Sequence, residues 1–80
     1  MAVNLLGNSC DYNKILKLCE KHNLKLIEDN CESMGAKFNN SYTGTIGLAG
    51  SFSFFFSHHI QTMEGGMVLC KNKDDADYMR

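Results

Sequence analysis

The 80 residues contain no long apolar run, no excess of either charge and no paired-cysteine motif. Apolar stretches such as Phe54-Phe55-Phe56 and Met67-Val68-Leu69-Cys70 fall far short of the roughly 20 residues a membrane-spanning helix needs, so no membrane role is expected. Eight basic residues face nine acidic ones, for a net charge of -1. That balance excludes electrostatic capture of nucleic acid or of an anionic membrane. Cys10, Cys19, Cys31 and Cys70 form no C-x-x-C pair, which leaves zinc knuckles and thioredoxin-type redox sites without support. Residues 1–6 lack the basic segment and long apolar core of a secretory leader. The expectation is reduced thiols in a cytoplasmic protein. Proline is also absent, with no functional consequence drawn from it.

What is present is globular: 44% hydrophobic and 21% charged residues, enough for one small domain with a thin core. Residues 2–6 read as a buried strand and residues 7–9 as a turn. Asp11 is a good N-cap for a helix to about His22, with Tyr12, Ile15, Leu16 and Cys19 on one face and Asn23 ending it. Residues 24–29 read as a second strand, which makes a βαβ unit and implies a parallel sheet. Asp29 then lies at the carboxyl end of that strand, where open α/β sheets bind ligands.

Residues 30–35 read as a short polar stretch. A hairpin turn is expected at Asn39-Asn40, a strand over 51–56, a further strand over 67–70, and a helix opening at 74–75. The fold class expected is α/β, a βαβ unit followed by strands of a mainly parallel sheet. A helix that has barely begun at residue 80 suggests a piece of a longer protein.

Asp29, Glu32, Ser53 and His58 are the candidate site residues, and each has an ordinary alternative. A strand-end carboxylate often caps or is solvated, Glu32 alone reads as a surface residue, and a small hydroxyl in an aromatic strand often bonds backbone. His58 and His59 on an extended segment would point to opposite faces and make a poor metal clamp. A metal held by His58, Asp29 and Cys31 has no supporting ligand spacing, so no metal is expected.

The constellation is more specific than its members. Residues 26–36 (LIEDNCESMGA), the stretch from Gly47 through Ser53-Phe54-Phe55-Phe56-Ser57-His58-His59-Ile60, and Met63-Glu64-Gly65-Gly66-Met67-Val68 closely resemble the DegT/StrS family of sugar aminotransferases. The resemblance covers nearly the whole chain. Members are fold-type-I pyridoxal phosphate proteins several times longer, so it implies that residues 1–80 are a fragment of the large, cofactor-binding domain.

The resemblance also implies roles. Asp29 matches the aspartate that pairs with the pyridine nitrogen and keeps it protonated, which makes the ring an electron sink. Glu32 matches a position, usually glutamine, near the ring's phenolic oxygen. A second anion there requires a proton or a cation nearby. Ser53 matches a serine that helps hold the cofactor phosphate. His58 stands where family aminotransferases carry the lysine that tethers the cofactor. Imidazole forms no such tether, so the cofactor would be held non-covalently, as pyridoxamine 5'-phosphate rather than bound pyridoxal 5'-phosphate.

Family members with this histidine are sugar 3-dehydratases acting on nucleotide-linked 4-keto-6-deoxy sugars. The histidine removes a proton from the cofactor methylene and the 3-hydroxyl leaves. One type uses glutamate as amino donor and acts on a GDP-linked sugar. The other carries an iron-sulfur cluster, needs a reductase and acts on a CDP-linked sugar. The run Phe56-Ser57-His58-His59 favours the first. A homodimeric parent is implied as well. The alternatives are an aminotransferase relative with another role and a truncated, catalytically inactive fragment.

Overall fold

Asp11 starts the first helix through its side chain, which accepts the Lys14 backbone N–H at 3.3 Å and so occupies one of the free donors of the first turn. In the computed structural model, which describes residues 1–80, this helix (α1) spans Tyr12–Lys21. Asn23 follows in the left-handed region at φ +51°, as expected of the residue that ends it. Of the expected buried face, Tyr12 is fully enclosed and Ile15 and Cys19 are half-buried, but Leu16 stays exposed.

The flanking strands are shorter than the apolar runs suggest. β1 is Ala2–Val3, because Leu6 at φ +52° and Gly7 at φ +82° bend the chain into a 3-10 turn over Leu5–Gly7. β2 is Ile27–Asp29. Leu24 cannot join it, since its N–H still closes the helix end on the Cys19 carbonyl at 2.8 Å. β3 (Lys37–Phe38) and β4 (Ser41–Tyr42) form the expected hairpin, with Asn39 and Asn40 at φ +47° and +64°. β5 is Ala49–Ser53, shifted toward the N-terminus of the expected strand, because residues 55–58 fold into a turn. β6 is Gly66–Cys70, and α2 is Lys73–Tyr78, capped by the Asn72 side chain on the Asp75 N–H at 2.9 Å.

The sheet order is β1-β2-β5-β6, parallel through β5 and antiparallel at β6, which is the mainly parallel α/β arrangement expected. The steps from β1 to β2 to β5 go in one direction, so right-handed connections place α1 and the 30–48 segment on the same face. That covered face carries Ala2, Asn4, Leu26, Glu28, Asn30, Gly50 and Phe52. The opposite face carries Asp29, Ser51 and Ser53 among Val3, Ile27 and Val68, which remain 51%, 44% and 52% exposed.

The interior is small and unusually polar. The buried apolar residues are only Ala2, Tyr12, Leu26, Ala49 and Phe52, whereas Asn4, Glu28 and Asn30 are completely enclosed. Asn4 organises one polar cluster. Its Nδ2 donates to Asn30 Oδ1 at 2.8 Å, and its Oδ1 accepts the Cys10 N–H and the Tyr12 hydroxyl, both at 2.9 Å. Burial pushes the Tyr12 hydroxyl well above its ordinary pKa and keeps it a donor.

Glu28 organises the other cluster. One carboxylate oxygen accepts the Gly44 N–H at 2.6 Å, and the other accepts Ile46 and Gly47 at 2.8 and 2.6 Å. Gly44 is required twice over: it sits at φ +90°, and a Cβ there would lie 2.5 Å from the tip of the Phe52 ring. Gly44→Ala is expected to cost about 2–4 kcal/mol, combining left-handed strain with overpacking. Gly35→Ala, at φ +86° in open space, should cost only the strain, about 1 kcal/mol. Denaturant midpoints of the two variants measure the difference.

Candidate functional site at the carboxyl edge of the sheet

The three parallel strands deliver their carboxyl ends to one edge. β1 runs into the Leu5–Gly7 turn, β2 ends at Asp29, and β5 ends at Ser53 before the loop that returns at Gly66. Open α/β sheets bind ligands beyond the carboxyl ends of their strands.

Asp29 is half-buried on the open face. Hydrogen bonds from the Cys31 side chain, then from its backbone N–H at 3.1 Å, hold the carboxyl below the usual carboxylate range, and the charge of His58 adds to this. The same contact pushes the Cys31 thiol up, with burial second. Asp29 is thus a fixed anion, and the His58 imidazole stands within its electrostatic reach.

Ser53 lies on the same face as Asp29 and Ser51, one strand over. Its hydroxyl oxygen accepts the Phe55 N–H at 3.2 Å, which leaves its own O–H free to donate. Glu32 is held by the Leu5–Gly7 turn: its Oε2 accepts the Leu6 N–H at 3.1 Å. The next N–H, of Gly7, donates to Ser33 Oγ at 3.2 Å, and that hydroxyl donates to the Asn4 carbonyl. Two successive turn amides therefore clamp two successive side chains.

The expectation that His58 and His59 point apart is corrected. The segment is not extended. The His58 N–H donates back to the Phe55 carbonyl at 3.0 Å, and the resulting turn sets both imidazoles on one cleft. That cleft, of about 320 Å³, is lined by Leu6, Glu32, Ser57, His58 and His59. The structure therefore groups Glu32 with His58 and brings His58 near Asp29. Ser53 shares the face of Asp29 but does not line the cleft. No lysine lines it either: Lys71 bonds the Ile46 carbonyl at 2.9 Å, beside the opposite end of β5.

Two contributors escaped sequence reasoning, the Leu6 amide and Glu28, and a third, Cys31, enters it only in another role. A backbone amide leaves no trace in residue identity. From sequence, Cys31 is weighed as a metal ligand and not as the hydrogen-bond partner of Asp29. The one available signal for Glu28 was an acid alternating with Leu26 ahead of a glycine-rich stretch.

The whole chain, residues 1–80, matches the model of the DegT/DnrJ/EryC1/StrS aminotransferase family. The chain belongs to this family. Across 74 residues it is 54% identical to GDP-4-keto-6-deoxy-D-mannose 3-dehydratase of Yersinia pseudotuberculosis, a match covering 92% of this chain and 19% of that protein. It superposes on the Escherichia coli GDP-4-keto-6-deoxy-D-mannose-3-dehydratase solved with bound hydrated PLP, with TM-score 0.80 and 53% identity over 89% of this chain and 19% of that one. A GDP-4-keto-6-deoxymannose-3-dehydratase structure with a trapped PLP-glutamate geminal diamine aligns with the same TM-score of 0.80 and coverage of 89% and 19%, at 51% identity. The chain thus spans about a fifth of the length of these family relatives.

The contacts of Asp29 predict its titration. His58→Asn should raise the Asp29 pKa toward the ordinary carboxylate value while leaving it below, because the Cys31 hydrogen bonds remain. A carboxyl-carbon NMR titration of the two proteins reads the shift. Since the folded pKa is depressed, the stability Asp29 contributes is present above the ordinary value and is lost as pH falls through the depressed one.

Proposed function

We propose that residues 1–80 are part of the cofactor-binding large domain of a pyridoxamine-phosphate-dependent nucleotide-sugar 3-dehydratase. The substrate is a nucleotide-linked 4-keto-6-deoxy sugar, GDP-linked as in the relatives, and the group removed is its 3-hydroxyl. The observation that carries this reading is His58 on the edge cleft, in a sequence position where family aminotransferases have the tethering lysine. Glutamate serves as amino donor, the parent is a homodimer, and the location is cytoplasmic, in keeping with four free thiols.

The donor set fits a pyridoxamine phosphate held without a covalent bond. A fixed anion, Asp29, stands at the strand edge to meet a cationic ring nitrogen. Ser53 has a free O–H for a phosphate oxygen, and no lysine lines the cleft. When bound, the cofactor supplies a primary amine for the 4-keto carbon and a conjugated cationic ring that takes up an electron pair.

The protein's share is positioning and proton transfer. Asp29 keeps the ring nitrogen protonated. Glu32, with one oxygen on the Leu6 amide, would need a shared proton or a nearby cation beside the ring's phenolic oxygen, since two anions would repel. His58, in its neutral form, takes a proton at a ring nitrogen and returns one to the departing 3-hydroxyl. An imidazole in place of an amine removes the tether and favours elimination over amino transfer.

In the protein that contains these residues, His58→Asn should lower dehydration of GDP-4-keto-6-deoxy-D-mannose by at least about 100-fold, the usual worth of a general base. A variant that dehydrates at the normal rate would refute the assignment. His58→Lys should restore a covalent tether, read as a mass increase matching pyridoxal phosphate after borohydride reduction.

A further inference from the structure

The proposed site needs Asp29 and Ser53 on one face of the sheet, with His58 beyond the end of the strand that carries Ser53. The alignment of β2 with β5 sets that arrangement, and it rests on three pairs: Ile27 with Ala49, Glu28 with Gly50, and Asp29 with Ser51. A slip of one residue would turn every β5 side chain to the other face and carry Ser53 away from Asp29. The β5 residues in these pairs are alanine, glycine and serine, whose small side chains resist slippage weakly.

Glu28 supplies what the pairs lack. It is completely enclosed on the covered face, and its two oxygens take the N–H groups of Gly44, Ile46 and Gly47, the last only two residues before β5 begins. Leu48 adds a bond from its N–H to the Leu26 carbonyl at 2.7 Å. A chain held at 44, 46, 47 and 48 can enter β5 in one register only. A glutamine could not replace the acid, because its amide nitrogen would face a backbone N–H.

We propose that Glu28 is the positioning residue of the site: its carboxylate pins the register of β5 against β2, and so sets Ser53 and His58 relative to Asp29. Glu28 is enclosed on the covered face, opposite Asp29 and Ser53. The proposal rests on the cofactor reading above.

The test uses the full protein that contains these residues. Glu28→Gln is compared with Asp11→Ala, which loses the α1 cap on the Lys14 N–H without touching Glu28 or residues 44–48. Affinity for pyridoxal phosphate is measured by absorbance titration at a temperature where each variant is folded, and amide exchange is followed over residues 44–53. Glu28→Gln should weaken binding at least tenfold and speed exchange over that segment at least tenfold, whereas Asp11→Ala should keep affinity within twofold. A Glu28→Gln protein that melts earlier but binds as the wild type does would overturn the proposal.

Should Glu28→Gln not fold, Glu28→Asp, which keeps the charge but is one methylene shorter, takes its place under the same criteria. A wild-type protein that binds no pyridoxal phosphate would sink the cofactor reading alone. Exchange over 44–53 then decides the role of Glu28: unchanged protection in the variant overturns it, and selective loss supports it.

Discussion

A single enclosed carboxylate, that of Glu28, makes the rest of this small structure possible. Burying an anion is costly unless its lone pairs are used. Here the compensation comes from three short backbone donors rather than from a cation. The exchange works in both directions. Glu28 avoids isolation, and a loop with buried glycines at 44 and 47 lies over the sheet without orphaned N–H groups. This cluster and the Asn4–Tyr12–Asn30 cluster tie the enclosed polar groups of residues 1–80 together.

Glu28 and Asp29 show how strand alternation divides labour between neighbours. Adjacent residues on a strand face opposite sides. Glu28 therefore points into the covered layer, while Asp29 points to the open face and the edge. The one-sided cover has a topological cause, since successive right-handed crossovers in one direction stack their connections on a single face. The other face of the sheet presents Asp29, Ser51 and Ser53.

The proposed chemistry at the edge turns on a paired arrangement of a fixed anion and an imidazole. Asp29 is locked ionised by its bonds to Cys31, and His58 hangs on a turn that brings it within reach. The proposed elimination asks for these two groups: one holds positive charge on a ring, and the other moves a proton beside it. The chain shares its family with the 3-dehydratase relatives and covers about a fifth of their length.

Local chemistry made several elements legible from residue identity. Asp11 as a cap, Asn23 as a helix terminator, the Asn39-Asn40 turn and the βαβ order all follow from side-chain hydrogen bonding, left-handed tolerance and apolar spacing. The positions of Asp29, Ser53 and His58 along the chain were equally readable, because motif and strand order are properties of sequence. Strand lengths, the shared orientation of His58 and His59, the clamp of Leu6 on Glu32 and the loop held by Glu28 were not. Each depends on a partner 16 to 26 residues away or on a backbone amide that every residue possesses, so only the folded chain could choose among the possible matches.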